Sequence, residues 1–140
     1  MNLVRWSSIL LVGGSLTGCV PFPIYTTVQP AAQITVLDEN NRPIEEAKVN
    51  LIASAHPHPV ELGRDIKMTD AGGLAMFDSR HEWRQGSFMM HGMEFFFWNW
   101  CVQKPGFKTY RSNMGSAGQF EPQPTIRLSR GASSDCLEKS

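Results

Sequence analysis

Apolar and polar residues alternate along much of this chain with a period of two. From Ala47 to Ala53, the residues Ala47, Val49, Leu51 and Ala53 fall on one side, with Lys48 and Asn50 on the other. That period sets one face of a strand against a core and the other toward water. Gln33 to Leu37 is rich in β-branched residues and runs into Asp38-Glu39-Asn40-Asn41-Arg42-Pro43, a cluster of turn formers. Ile66 to Thr69 and Leu74 to Phe77 flank Asp70-Ala71-Gly72-Gly73, which predicts a hairpin. Glu94 to Lys104 is the longest strand candidate; Pro105-Gly106 turns it, and Phe107 to Ser112 returns. Thr125 to Ser129 is the last strand. Between these lie two stretches expected to be irregular: polar residues 78–92 and a loop over residues 113–124 with two glycines and two prolines. His56-Pro57-His58-Pro59 is excluded from a central strand, because each proline lacks the N–H a ladder needs. No window carries sustained helical spacing with caps. Roughly seven short strands predict an all-β sandwich, placed over residues 33–129, with a tail over residues 130–140.

Ahead of the sandwich the pattern changes. Arg5 precedes a short apolar run, Ile9 to Val12, extended weakly to Leu16. A membrane-spanning helix needs about 20 apolar residues, so this run reads as an export signal over residues 1–18. It ends Leu16-Thr17-Gly18-Cys19, which resembles the lipobox of bacterial lipoproteins. The resemblance implies cleavage before Cys19, acylation of Cys19 and attachment to membrane through lipid. Val20 stands where an Asp would favour inner-membrane retention, so the resemblance implies an outer-membrane address facing the periplasm. Pro21, Pro23 and Pro30 stiffen the next stretch, and residues 19–32 are expected to be lipidated Cys and spacer.

Length and charge narrow the function. A chain of 140 residues holds one domain, too short for a (β/α)₈ barrel of roughly 250 residues. Its 13 basic and 13 acidic side chains cancel, which argues against a nucleic-acid partner, since phosphate recognition wants a basic surface. Taking Arg5 away with the signal leaves 12 basic against 13 acidic. With 41% hydrophobic and 19% charged residues the chain is not of disordered composition.

Four short pieces, in order, carry a second resemblance: Arg42-Pro43, Ala47-Lys48-Val49, Thr69-Asp70-Ala71-Gly72 and Pro105-Gly106-Phe107. Together they resemble the carboxypeptidase regulatory-like domain, over about residues 33–129. The resemblance implies a transthyretin-like or Ig-like sandwich and a non-catalytic role. Arg42 departs from the glycine usual before that proline, and residues 78–95 are longer than the family's usual link. Fold-level analogy also reaches the transthyretin-like lipoprotein of type VI secretion, which implies docking within an envelope secretion assembly.

Little in the sequence points to catalysis. His91-Gly92-Met93-Glu94 has the H-x-x-E form of a zinc peptidase, but a third ligand, a water-activating base and an open position are all required. No nucleophile elbow, P-loop or dinucleotide fingerprint occurs. The chain is therefore expected not to be an enzyme and to need no cofactor. His56, His58, His81, Met89, His91 and Met93 form the alternative: soft thioether and imidazole donors suit copper, which would make this a periplasmic metal binder. The competing reading is loop histidines beside a gap-filling Met cluster. Asp70, Asp78 and the Asp38 turn lack the spacing of a calcium loop. With Cys19 assigned to lipid, Cys101 and Cys136 remain, and an even pair in an exported chain predicts a disulfide.

The aromatic run over Glu94 to Lys104 carries most functional content. The regulatory-like resemblance at Pro105-Gly106 implies that Val102, Trp100 and Trp98 face the core and that Phe95, Phe97 and Cys101 face outward. A Cys101–Cys136 bond would then draw the tail across the outer face. Phe95 and Phe97 are either covered by the tail and residues 78–92, or exposed as a patch for an envelope protein or glycan.

Overall fold

The computed structural model describes residues 22–56, 60–86, 94–112 and 119–136. The strands among them are β1 (Phe22–Gln29), β2 (Ala32–Asp38), β3 (Lys48–His56), β4 (Val60–Met68), β5 (Leu74–Phe77), β6 (Arg80–Gly86), β7 (Phe95–Gln103), β8 (Tyr110–Arg111) and β9 (Thr125–Leu128). No α-helix occurs among the described residues. The described residues fall into two compact units, the second of residues 22–26 with 83–86 and the first of the other described residues.

The first unit is an all-β sandwich. One sheet has the order β5-β2-β9, the other β4-β3-β7-β8. In the first, β2 pairs antiparallel with β5 and parallel with β9. The second is antiparallel throughout, and its longest ladder joins β3 to β7 from Lys48↔Gln103 to His56↔Phe95. The inward faces meet in one cluster: Ile34 and Val36 of β2, Phe77 of β5 and Leu128 of β9 join Val49, Leu51, Trp100 and Val102 of β3 and β7. This is the alternation expected from sequence, with odd residues of β3 inward beside even residues of β7. Trp100 is the largest of the fully buried side chains. Its ring meets Phe77 edge-on at 5.4 Å and stacks on Phe120 at 5.6 Å, and its Nε1 donates to the Glu121 carbonyl. A buried indole thereby keeps its one donor satisfied.

Three departures from the sequence pattern change the topology. Asp70 to Gly73 does make a tight turn: the Gly73 amide donates to the Asp70 carbonyl, and Asp70 Oδ1 accepts from the Gly72 and Leu74 amides. Yet β4 and β5 lie in different sheets, so the turn is a crossover and not a hairpin. The cause is Thr69. Its Oγ1 accepts from the Ala47 amide and donates to the Ile44 carbonyl, and its own amide donates to the Ala47 carbonyl. Thr69 is thus spent on the start of β3, and Leu74–Phe77 pairs instead with Ala32–Thr35. The other two corrections are strands. Phe22–Gln29, in the expected spacer, is β1, and Arg80–Gly86, in the stretch expected to be irregular, is β6; they form a two-stranded sheet. Neither run shows clean hydrophobic alternation, because much of each is exposed on both faces.

Candidate binding face on the outer sheet

The outward face of β4-β3-β7-β8 is where the predicted site residues gather. Antiparallel register sets Asn50 beside Cys101, Ile52 beside Asn99, Ser54 beside Phe97 and His56 beside Phe95. These residues share the face opposite Val49, Leu51, Trp100 and Val102. The predicted outward direction of Phe95, Phe97 and Cys101 therefore holds.

Cys101 and Cys136 are disulfide-bonded, with a Cα–Cα distance of 5.9 Å. Cys101 is only 2% exposed although it points away from the core. The tail covers it. After β9, Arg130 bridges to Phe107 and stacks its guanidinium on that ring at 4.6 Å. Thr109 Oγ1 then donates to the Ser134 carbonyl and accepts from the Ser134 amide. Arg111 donates to the Asp135 carbonyl. The Cys136 amide donates to Gln103 Oε1. From the far edge Arg64 holds Glu61 through two bonds of 2.9 Å and donates Nη1 to the Cys136 carbonyl at 3.1 Å. The hydrogen bond from Arg64 to Glu61 raises the Arg64 pKa further above its usual range, so this cation keeps its charge. Beneath this strap Asn50 is buried, with Nδ2 donating to the Cys101 carbonyl.

The strap crosses at Cys101 and leaves the His56 end of the face open. Phe95 is 55% exposed. Phe97 is half-buried, and its ring meets that of His56 edge-on at 6.2 Å. Phe95 is thus exposed, and the half-burial of Phe97 comes with the His56 ring beside it. His56 itself is exposed. The open end thus presents one projecting phenyl ring, a second ring behind it and an imidazole, with Ser54 alongside.

The other predicted positions are less drawn together. Cys19, His58, Met89, His91 and Met93 lie outside the described residues, as does the export signal. His56 and His81 are described, on β3 and β6 respectively, and both are exposed. Among the described residues no three His, Cys, Asp or Glu side chains come together as metal ligands. Asp38 and Asp70 are turn residues: Asp38 Oδ1 accepts from the amides of Asn40 and Arg42, as Asp70 does from its own turn. Sequence reasoning missed Arg64 and Gln103, which hold the strap. They belong to separate strands and to no motif, and only the β4-β3-β7 register brings them to one tail.

Comparison of the chain with protein-family models, with curated proteins and with solved structures gives no match.

Proposed function

We propose that this chain is a non-catalytic, lipid-anchored module of the bacterial envelope, held at the outer membrane through acylated Cys19 and facing the periplasm. It binds an envelope protein or glycan with the open end of its outer sheet, through Phe95, Phe97 and His56. The observation that carries this reading is the exposed Phe95 ring, left open beside Phe97 while the disulfide-pinned tail covers the middle of the same face. An aromatic ring in that position adds apolar contact area at little entropic cost, which is what a binding surface uses. The disulfide also supports export, because such bonds persist in oxidising compartments. The lipobox and regulatory-like resemblances support the anchor and the absence of catalysis.

Photo-crosslinking in intact cells tests the binding face. A photoreactive residue at position 95 is expected to capture one discrete envelope component, lost on Phe97→Ser, while the same residue at position 39 captures none. Equal labelling from both positions would remove the face from consideration. Peptide hydrolysis by the purified chain, abolished by His91→Ala, would overturn the non-catalytic reading.

A further inference from the structure

The second compact unit carries exposed aromatic side chains of its own. Its described part is the paired stretch Phe22–Thr26 of β1 and Trp83–Gly86 of β6. The two faces of this ribbon can be told apart. A Cβ at Gly86 would meet Ile24 at 2.0 Å and Phe22 at 3.4 Å, so those three residues share one face. Alternation puts Pro23, Tyr25, Trp83 and Gln85 on the other. The Tyr25 and Trp83 rings do pair there, with centroids 5.2 Å apart. All four residues of that face are exposed, Trp83 at 70% and Tyr25 at 59%, and none carries a charge.

We infer that this ribbon face seats on the lipid bilayer, with Trp83 and Tyr25 in the headgroup layer as a second attachment beside the acyl chains. The inference rests on the lipoprotein reading of Cys19. If Cys19 is acylated, it sits at the membrane surface, and Phe22 comes three positions later. Three residues span at most about 10 Å even when fully extended. The headgroup layer on each side of a bilayer is roughly 5–8 Å deep. The start of β1 is therefore within reach of the headgroups whatever path the intervening residues take. Trp and Tyr are the side chains that favour this layer, being apolar rings with one polar handle. Charge does not oppose the contact: no Asp, Glu, Lys or Arg occurs between Arg5 and Asp38, so β1 brings no carboxylate to an anionic surface. A glycan could also stack on such a pair, but the acyl chains of Cys19 would hold the bilayer, rather than a glycan, beside it.

Acylated protein in vesicles of phosphatidylethanolamine and phosphatidylglycerol, part of it brominated on the acyl chains near the headgroup, tests this. Tryptophan emission is compared between the native chain and Trp83→Phe, which keeps an aromatic partner for Tyr25. Mass spectrometry of the N-terminal peptide reports acylation of Cys19 independently. The expected result is that bromolipid removes the Trp83 share of the emission, and that Trp83→Phe emission is unchanged by bromolipid. Acylated protein whose Trp83 stays unquenched by bromolipid and open to iodide would overturn the inference and leave the lipoprotein reading standing. Cys19 found unacylated would overturn both. Shielding of Trp83 from iodide by a soluble glycan, without quenching by bromolipid, would also overturn it.

Discussion

Gly72 and Gly73 stand side by side in the Asp70 turn, and only one of them is structurally demanding. Gly73 has φ +73°, and a Cβ there would meet the Val36 carbonyl oxygen at 2.4 Å. That oxygen accepts from Ile44, and the Gly73 carbonyl accepts from Val36, so the contact cannot open without breaking β2 pairing. A Cβ at Gly72 would meet only the side chain of Asp70, at 3.2 Å. Gly73→Ala is expected to cost about 2–3 kcal/mol, and Gly72→Ala under about 1 kcal/mol, read as the shift in urea midpoint. Equal shifts would refute the assignment. The sequence marks the turn here but not which glycine bears it, because the contact with Val36 is long-range. Glu46 shows the same limit. It holds φ 54°, a region glycine favours, and nothing in its local sequence asks for it. The demand comes from distant partners, since its amide donates to the Thr69 carbonyl and its carbonyl accepts from Lys104 Nζ. Asn41, at φ 59°, was legible because Asn tolerates that region and sits in an evident turn cluster.

At the scale of elements, the strands with one buried face were legible and those without were not. β2, β3 and β9 lie within a residue or three of their expected bounds, since each alternates against the core. β1 and β6 bury little and so carry no such signal. β4 begins six residues earlier than Ile66, because its outer half is polar and carries Gly63 at the register shift opposite Ala53 and Ser54. The tail is the element whose energetics can be separated. Closing 35 positions of chain with Cys101–Cys136 contributes up to about 3–4 kcal/mol through the unfolded state. Arg64 acts on the same strap through a native contact, its bond to the Cys136 carbonyl. The two are therefore coupled. In a double-mutant cycle, Arg64→Ala is expected to cost about 1 kcal/mol with the disulfide present and less in Cys101→Ser, Cys136→Ser, where the strap no longer has to stay in place. Identical costs in both backgrounds, by urea unfolding, would show that Arg64 serves Glu61 alone.

At the scale of the whole molecule, the proposed function raises the question of what force would keep the chain at a membrane. Without the expected signal the chain would carry 12 basic and 13 acidic side chains, a net charge of −1, so its total charge would not draw it to an anionic surface. Among the described residues no helix is long and apolar enough to cross a membrane. Under the proposed function the attachment is covalent lipid, and the ribbon aromatics add to it; both are apolar forces. Apolar burial strengthens slightly in salt, whereas surface charge pairing is screened to within about 3 Å at 1 M. Two predictions separate the alternatives in fractionated cells. A 1 M salt wash should leave the protein in the membrane fraction, and mild detergent should release it. Cys19→Ser should abolish retention, because a single pair of interfacial rings is a far weaker hold than acyl chains, each buried methylene of which contributes about 0.8 kcal/mol. Release by salt would point to charge clustered on one face in spite of the near-neutral total. Retention of Cys19→Ser would shift the anchor from lipid to a protein partner, and the open Phe95 end of the outer sheet would be the first surface to test for it.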